Sequence, residues 1–150
     1  MRHQSVCVIA CSASKALTAM PARHLYTGDL FRKSLRWAEA SRRFDAIKVL
    51  SAKHGLVDIE QMIKPYDTAL HAMEFTARRA WAASVAHALV QQLADRAEVV
   101  ALAGQLYTEG LALHLQVLAP TVAFNRPLAG MGIGEQKAWL KRQLDEGRAL

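Results

Sequence analysis

Lys53 and His54 stand side by side just after an apolar run, Ala46-Ile47-Lys48-Val49-Leu50, and just before a glycine, Gly55. An ammonium can clamp an anion, and an imidazole can carry a proton near neutral pH. Neighbours in a strand-like segment point to opposite faces, so only one of the two can face a given ligand. Further on comes Lys64-Pro65-Tyr66-Asp67, which the proline holds extended. A tyrosine ring can stack on a base, and an aspartate can hydrogen-bond a sugar or act as acid, base or nucleophile. A tyrosine plugging a core gap beside an N-capping aspartate satisfies the same pattern, and a lone histidine is more often structural or exposed.

Three other stretches carry similar chemistry. Cys11-Ser12-Ala13-Ser14-Lys15 offers hydroxyls, an ammonium and backbone N–H groups to a phosphate, or is an ordinary polar turn. Beside Lys15, Cys11 is either a thiol of lowered pKa or a small apolar residue. Gly104-Gln105-Leu106-Tyr107 follows another apolar run. Gly130, Gly132 and Gly134 form G-x-G-x-G, whose spacing and late position do not match a dinucleotide signature; such a loop can still bring backbone close to a ligand. No CxxC pair or HxxxH spacing occurs, so no metal or other cofactor is expected. Cys7 and Cys11 on one strand stand about 13 Å apart, at roughly 3.3 Å per residue. That is too far for a disulfide, which needs about 7 Å or less.

The elements that must position these residues alternate. Apolar runs predict strands over 5–10, 46–50, 98–103 and 121–124. Helical spacing predicts helices over 28–44, with Thr27 as N-cap, and over 74–95, 106–118 and 135–146. The helix over 106–118 is expected to break or bend near Gly110. Residues 51–70 read as one long loop, of a length usual for binding loops. Trp37, Trp81 and Trp139 fall on helices and read as core. The β-α-β-α order implies a mainly parallel sheet of about four strands with helices on both faces, a three-layer α/β domain spanning 1–150. A small α+β domain with one antiparallel run is the alternative. In the parallel case all four loops share the carboxyl edge of the sheet, where such folds bind ligands.

The chain has 150 residues, of which 52% are hydrophobic and 21% charged, ordinary for a folded globular protein. Its apolar runs fall short of the roughly 20 residues that span a bilayer. Met1-Arg2-His3-Gln4 reads as the approach to the first strand rather than a signal peptide, so no membrane partner and a cytoplasmic location are expected. The net charge is +6, and residues 1–53 hold ten Lys/Arg against Asp29, Glu39 and Asp45. That excess is either a solvated helix face or a surface that attracts phosphates.

Taken together, Cys11-Ser12-x-Ser14-Lys15, Pro21-Ala22-Arg23-x-Leu25-Tyr26, Phe31-Arg32, Leu50 through Leu56, Pro65-Tyr66-Asp67 and Pro127-Leu128-x-Gly130-x-Gly132-Ile133-Gly134 resemble an uncharacterised domain family of bacteria and phages. That family is distantly similar to the YaaA peroxide-stress proteins and to a domain of archaeosine synthase. The resemblance implies a Rossmann-like fold and a setting in nucleotide, nucleobase or nucleic-acid metabolism. The leading expectation is an enzyme acting on a nucleotide, nucleoside or modified base, with an N-glycosidic bond as the reacting group. Lys15, Arg23 and Lys53 would hold phosphate, and Tyr26 or Tyr66 would stack on the base. Asp67 would supply the carboxylate and His54 the proton. Cys11, Ser12, Ser14, Ser51, Gly55, Tyr107, Gly130 and Gly132 would line the site. The rival is a non-catalytic module that binds DNA or RNA through Arg32, Lys33, Arg36, Arg42 and Arg43. The sequence leaves the oligomeric state open.

Overall fold

The computed structural model describes residues 2–149. Strand β1 (His3–Ala10) is central because Val6-Cys7-Val8-Ile9 is apolar on both faces, and all four residues are buried. A short β2 (Met20–Pro21) and a single-turn α1 (Ala22–Leu25) lead to α2 (Asp29–Ser41). Then come β3 (Ala46–Ser51), β4 (Gly55–Asp58) and β5 (Met62–Ile63), followed by a 3-10 turn at Leu70–Ala72. The chain continues through α3 (Phe75–Val90), β6 (Leu93–Leu102), α4 (Gln105–Leu118), β7 (Ala123–Asn125) and α5 (Ile133–Ala149).

The main sheet has five strands in the order β4-β3-β1-β6-β7. β1 pairs in parallel with both β3 and β6, and β6 pairs in parallel with β7; β4 folds back antiparallel on β3. The chain therefore steps from β1 to one side, to β3, and then crosses back to β6 on the other. Strand order reverses between β1 and β6. Alternate strand residues feed two cores. Cys7, Ile9, Val49, Val100 and Leu102 pack with α2 and α5, whereas Val6, Val8, Leu50, Val99 and Ala101 pack with α3 and α4.

Several expectations need correction. The sheet has five strands rather than about four, and residues 51–70 are not one loop. Ser51 pairs with Gly55 across a three-residue turn, and Gly55 takes the positive φ of 74° that this hairpin requires. β5 pairs antiparallel with β2 to form a second, two-stranded sheet. Helix α3 stops at Val90 and β6 begins at Leu93, earlier than expected. Leu89 and Leu93 keep a helical spacing, so the pattern runs on past the true helix end. Within β6, Arg96 adopts φ 61° where the register with β1 slips between His3 and Ser5. Gly28, not Thr27, caps α2. The Thr27 N–H donates instead to the Ser14 carbonyl. Helix α4 runs unbroken through Gly110, where a Cβ would lie 2.9 Å from the Ala82 Cβ. The glycine lets α3 and α4 approach; it does not bend the helix. Among the described residues no helix is long and apolar enough to cross a membrane.

Candidate functional site

Three segments far apart in sequence meet through hydroxyl groups at the carboxyl end of β3. The Tyr66 hydroxyl lies 2.7 Å from the Tyr26 hydroxyl and 2.7 Å from Ser51 Oγ. Ser51 Oγ in turn accepts the His54 backbone N–H at 3.0 Å. All three hydroxyl residues are buried. Ser51 is the last residue of β3, so it faces inward as the strand alternation demands. Trp81 from α3 donates its indole N–H to the Ser51 carbonyl at 2.8 Å, which ties the same residue to the opposite core. The Lys15 ammonium sits 4.3 Å from the Tyr66 ring centroid, and the His54 ring meets Tyr66 edge-on at 5.4 Å.

A second contact joins the ends of β1 and α4. Cys11 Sγ and the Tyr107 hydroxyl are 3.4 Å apart, and Tyr107 packs edge-on against Trp81. Burial, with the Cys11 thiol nearby, pushes the hydroxyls of Tyr66 and Tyr107 well above the usual phenol range, and burial raises Tyr26 too. At neutral pH these phenols are protonated. They serve as hydrogen-bond donors and struts, not as bases. Their effect is to fix the tip of the β3–β4 hairpin, and with it His54, against the segment carrying Tyr66.

Beside this cluster the sheet edge opens into two cavities. One, of about 270 Å³, lies where strand order reverses, between Cys11 to Ser14, the start of α2 at Gly28 to Phe31, and Ile133, Gln136 and Lys137 of α5. The other, of about 680 Å³, is bounded by Gln105, Thr108 and Glu109 of α4 and by the loop from Arg126 to Gly132. Ala103, Gly104 and Gln136 line both, so the two are contiguous. Helices α2 and α4 start at Gly28 and Gly104 without a side-chain cap. The N–H groups of Asp29 and Leu30 in α2 and of Gln105 and Leu106 in α4 have no intrahelical acceptor and, with the helix dipole, favour an anion, although the Asp29 carboxylate stands at the first of these starts. Gly28 is required there: a Cβ would lie 2.8 Å from the Ser12 Cβ. Ser12 Oγ accepts the Gly28 N–H at 3.2 Å and donates to the Ser14 carbonyl at 2.7 Å, which folds the loop onto the helix start.

The residues singled out from sequence thus divide into groups. Cys11, Ser12, Ser14, Gly130 and Gly132 line the cavities, and Gly130 takes φ 77°. Lys15, Tyr26, Ser51, His54 and Tyr66 form the hydroxyl cluster, with Tyr107 linked to Cys11. Tyr26 and Tyr66 are 1% and 8% exposed, and Lys15 lies over the Tyr66 ring, so neither presents an open face to a base. The Arg23 guanidinium is engaged by Glu60 at 2.7 Å and Glu39 at 3.2 Å rather than turned to the cavities. Lys53, on the hairpin tip, and Asp67 are exposed and line neither cavity. Lining residues that the sequence did not single out include Arg126, Gln136 and Lys137. Arg126 sits in the glycine-bearing loop, and its charge was the available signal. Gln136 and Lys137 face the cavities only because α5 starts beside α2.

Fold and site define an α/β protein with a mostly parallel sheet whose cavities lie at its carboxyl edge. The family model for a family of unknown function (DUF6884) matches residues 6–142, and the chain belongs to that family. No curated protein and no solved structure matches the chain significantly.

Proposed function

We propose that the chain is a three-layer, Rossmann-like enzyme that binds a nucleotide or a related phosphate-bearing nucleoside derivative across the ends of β1 and β6. The observation that carries this reading is the pair of contiguous cavities at the reversal of strand order, opened by two helix starts that lack side-chain caps. In open α/β sheets that point is where ligands bind. The phosphate would lie on the amides of Asp29 and Leu30 beside Ser12 and Ser14, with positive charge from Lys137, whose ammonium stands 3.6 Å from the Asp29 carboxylate. The larger cavity, with Arg126 and the backbone of Gly130 to Gly132, would take the sugar and base. Chemistry at an N-glycosidic bond requires a carboxylate or a proton donor, and Asp67 and His54, which line neither cavity, would have to be brought to the ligand to serve in those roles. A kinship with YaaA proteins and with a domain of archaeosine synthase belongs to the same proposal.

A panel of nucleosides and nucleotides tests it by melting temperature and by release of free base. Phosphate-bearing ligands should raise the melting temperature and the matching nucleosides should not. Release of base by the wild type and its loss in Asp67→Asn would establish the reaction class. No shift with any ligand and no product would refute the proposal.

One observation favours a nucleic-acid reading. Arg32, Arg36 and Arg42 are exposed on α2 and its C-terminus. Lys33 and Arg43, by contrast, pair with Asp29 and Glu98. DNA or RNA binding through α2 would weaken steeply with salt and depend on those three arginines.

A further inference from the structure

The outward side of α3 and α4 carries apolar side chains that the fold leaves in solvent. On α4, Leu106, Leu113 and Val117 are 42, 53 and 81% exposed. With Gly110 between them they form one stripe along the helix, opposite the core residues Leu111 and Leu115. On α3, Phe75 is 64% exposed, and Ala77 and Ala80 also face solvent. Apolar residues therefore lie on both sides of the two helices, and such helices are normally covered on both. Between them runs a groove of about 180 Å³ lined by Phe75, Arg78, Arg79, Leu106, Glu109 and Leu113, with the Arg78 guanidinium donating to the Met73 carbonyl at 2.6 Å. Its floor is the close approach of Gly110 to Ala82.

The groove carries both signs of charge. The Arg79 guanidinium lies 5.6 Å from the Phe75 ring centroid on the α3 side, and Glu109 stands on the α4 side. We propose that this face joins two copies of the chain, with the α4 stripe of each laid along the groove of the other about a twofold axis near Gly110. A twofold contact sets one patch against the same patch, so Arg79 of each copy meets Glu109 of the other. A partner of single-signed surface would leave one of these charges opposed, whereas a second copy compensates both. Glu109 also lines the larger cavity of the candidate site. The second copy therefore closes against the mouth of that cavity and brings a cation to its rim. The contact does not depend on which ligand the cavity takes.

Light scattering on the whole chain should give twice 16.5 kDa. Leu113→Asp with Val117→Asp, at exposed positions, should raise the dissociation constant by at least about tenfold and leave the far-UV circular dichroism unchanged. Arg79→Glu and Glu109→Arg should each weaken the dimer, and the two together should restore it. A chain that stays monomeric at every soluble concentration would overturn the proposal. So would a dimer that survives the double aspartate variant, or a paired charge swap that fails to restore association.

Discussion

Tyr66 joins segments that the chain keeps far apart, and its worth is measurable residue by residue. Tyr66→Phe leaves both the Tyr26 hydroxyl and Ser51 Oγ short of a buried partner. Urea denaturation should report a loss of about 1–3 kcal/mol, against about 1 kcal/mol for Tyr26→Phe, which removes only the end of the chain of hydroxyls. Alkaline pH acts on the same cores. Burial pushes the Cys7 thiol from 9.0 to about 12. The unfolded chain therefore releases that proton first, and stability falls as pH rises from 9.0 towards 12. The raised phenols of Tyr26, Tyr66 and Tyr107 add a fall of the same sign beginning near their ordinary value of 10.0. Denaturation midpoints against pH should decline over that window, and Cys7→Ala should flatten its first part. That Tyr66 and Asp67 followed a proline was plain from the sequence. That Tyr66 turns inward was not, because its partners come from β3 and from the residue after α1.

At the scale of elements, two glycines, Gly28 and Gly110, set how closely the parts approach, and a third, Gly55, sets a turn. Gly28→Ala forces the Ser12 loop away from the start of α2. It should cost about 1–3 kcal/mol in stability and abolish binding of phosphate-bearing ligands at the smaller cavity, read by calorimetric titration. Gly110→Ala improves helix propensity by about 1 kcal/mol but drives a Cβ into Ala82, so a net loss is expected in thermal unfolding. Gly55→Ala strains the β3–β4 turn at its positive φ. The strands β1, β3 and β6 were legible because their runs are apolar on both faces. The hairpin partner β4 was not: Gly55-Leu56-Val57-Asp58 is short, and its two inner apolar residues look like any loop until β3 lies beside them. The early start of β6 was hidden by Leu93 and Ala97, which extend the helical spacing of α3.

For the whole molecule, the alternation of strands and helices made the parallel sheet and its loop-bearing carboxyl edge readable, since βα connections place every such loop at one end. Which loops enclose space there depends on strand order, and strand order is a property of the assembled sheet. With β1 beside β6, the loops at Cys11, Gly104 and Gly130 come together with the start of α5. The hairpin tip with Lys53 falls to the side, on β3. The cations at the cavities are accordingly Arg126 and Lys137 rather than Lys53 and Arg23. Arg126→Ala, at an exposed position, should weaken a nucleotide by about tenfold, or about 1.4 kcal/mol, with no loss of melting temperature. The most direct test of ligand binding at this edge is a backbone amide titration by NMR with a nucleoside monophosphate. Shifts should concentrate at Cys11 to Ser14, Gly28 to Leu30, Gly104 to Gln105 and Gly130 to Gly132. Shifts confined to Arg32, Arg36 and Arg42, or no shifts, would contradict it.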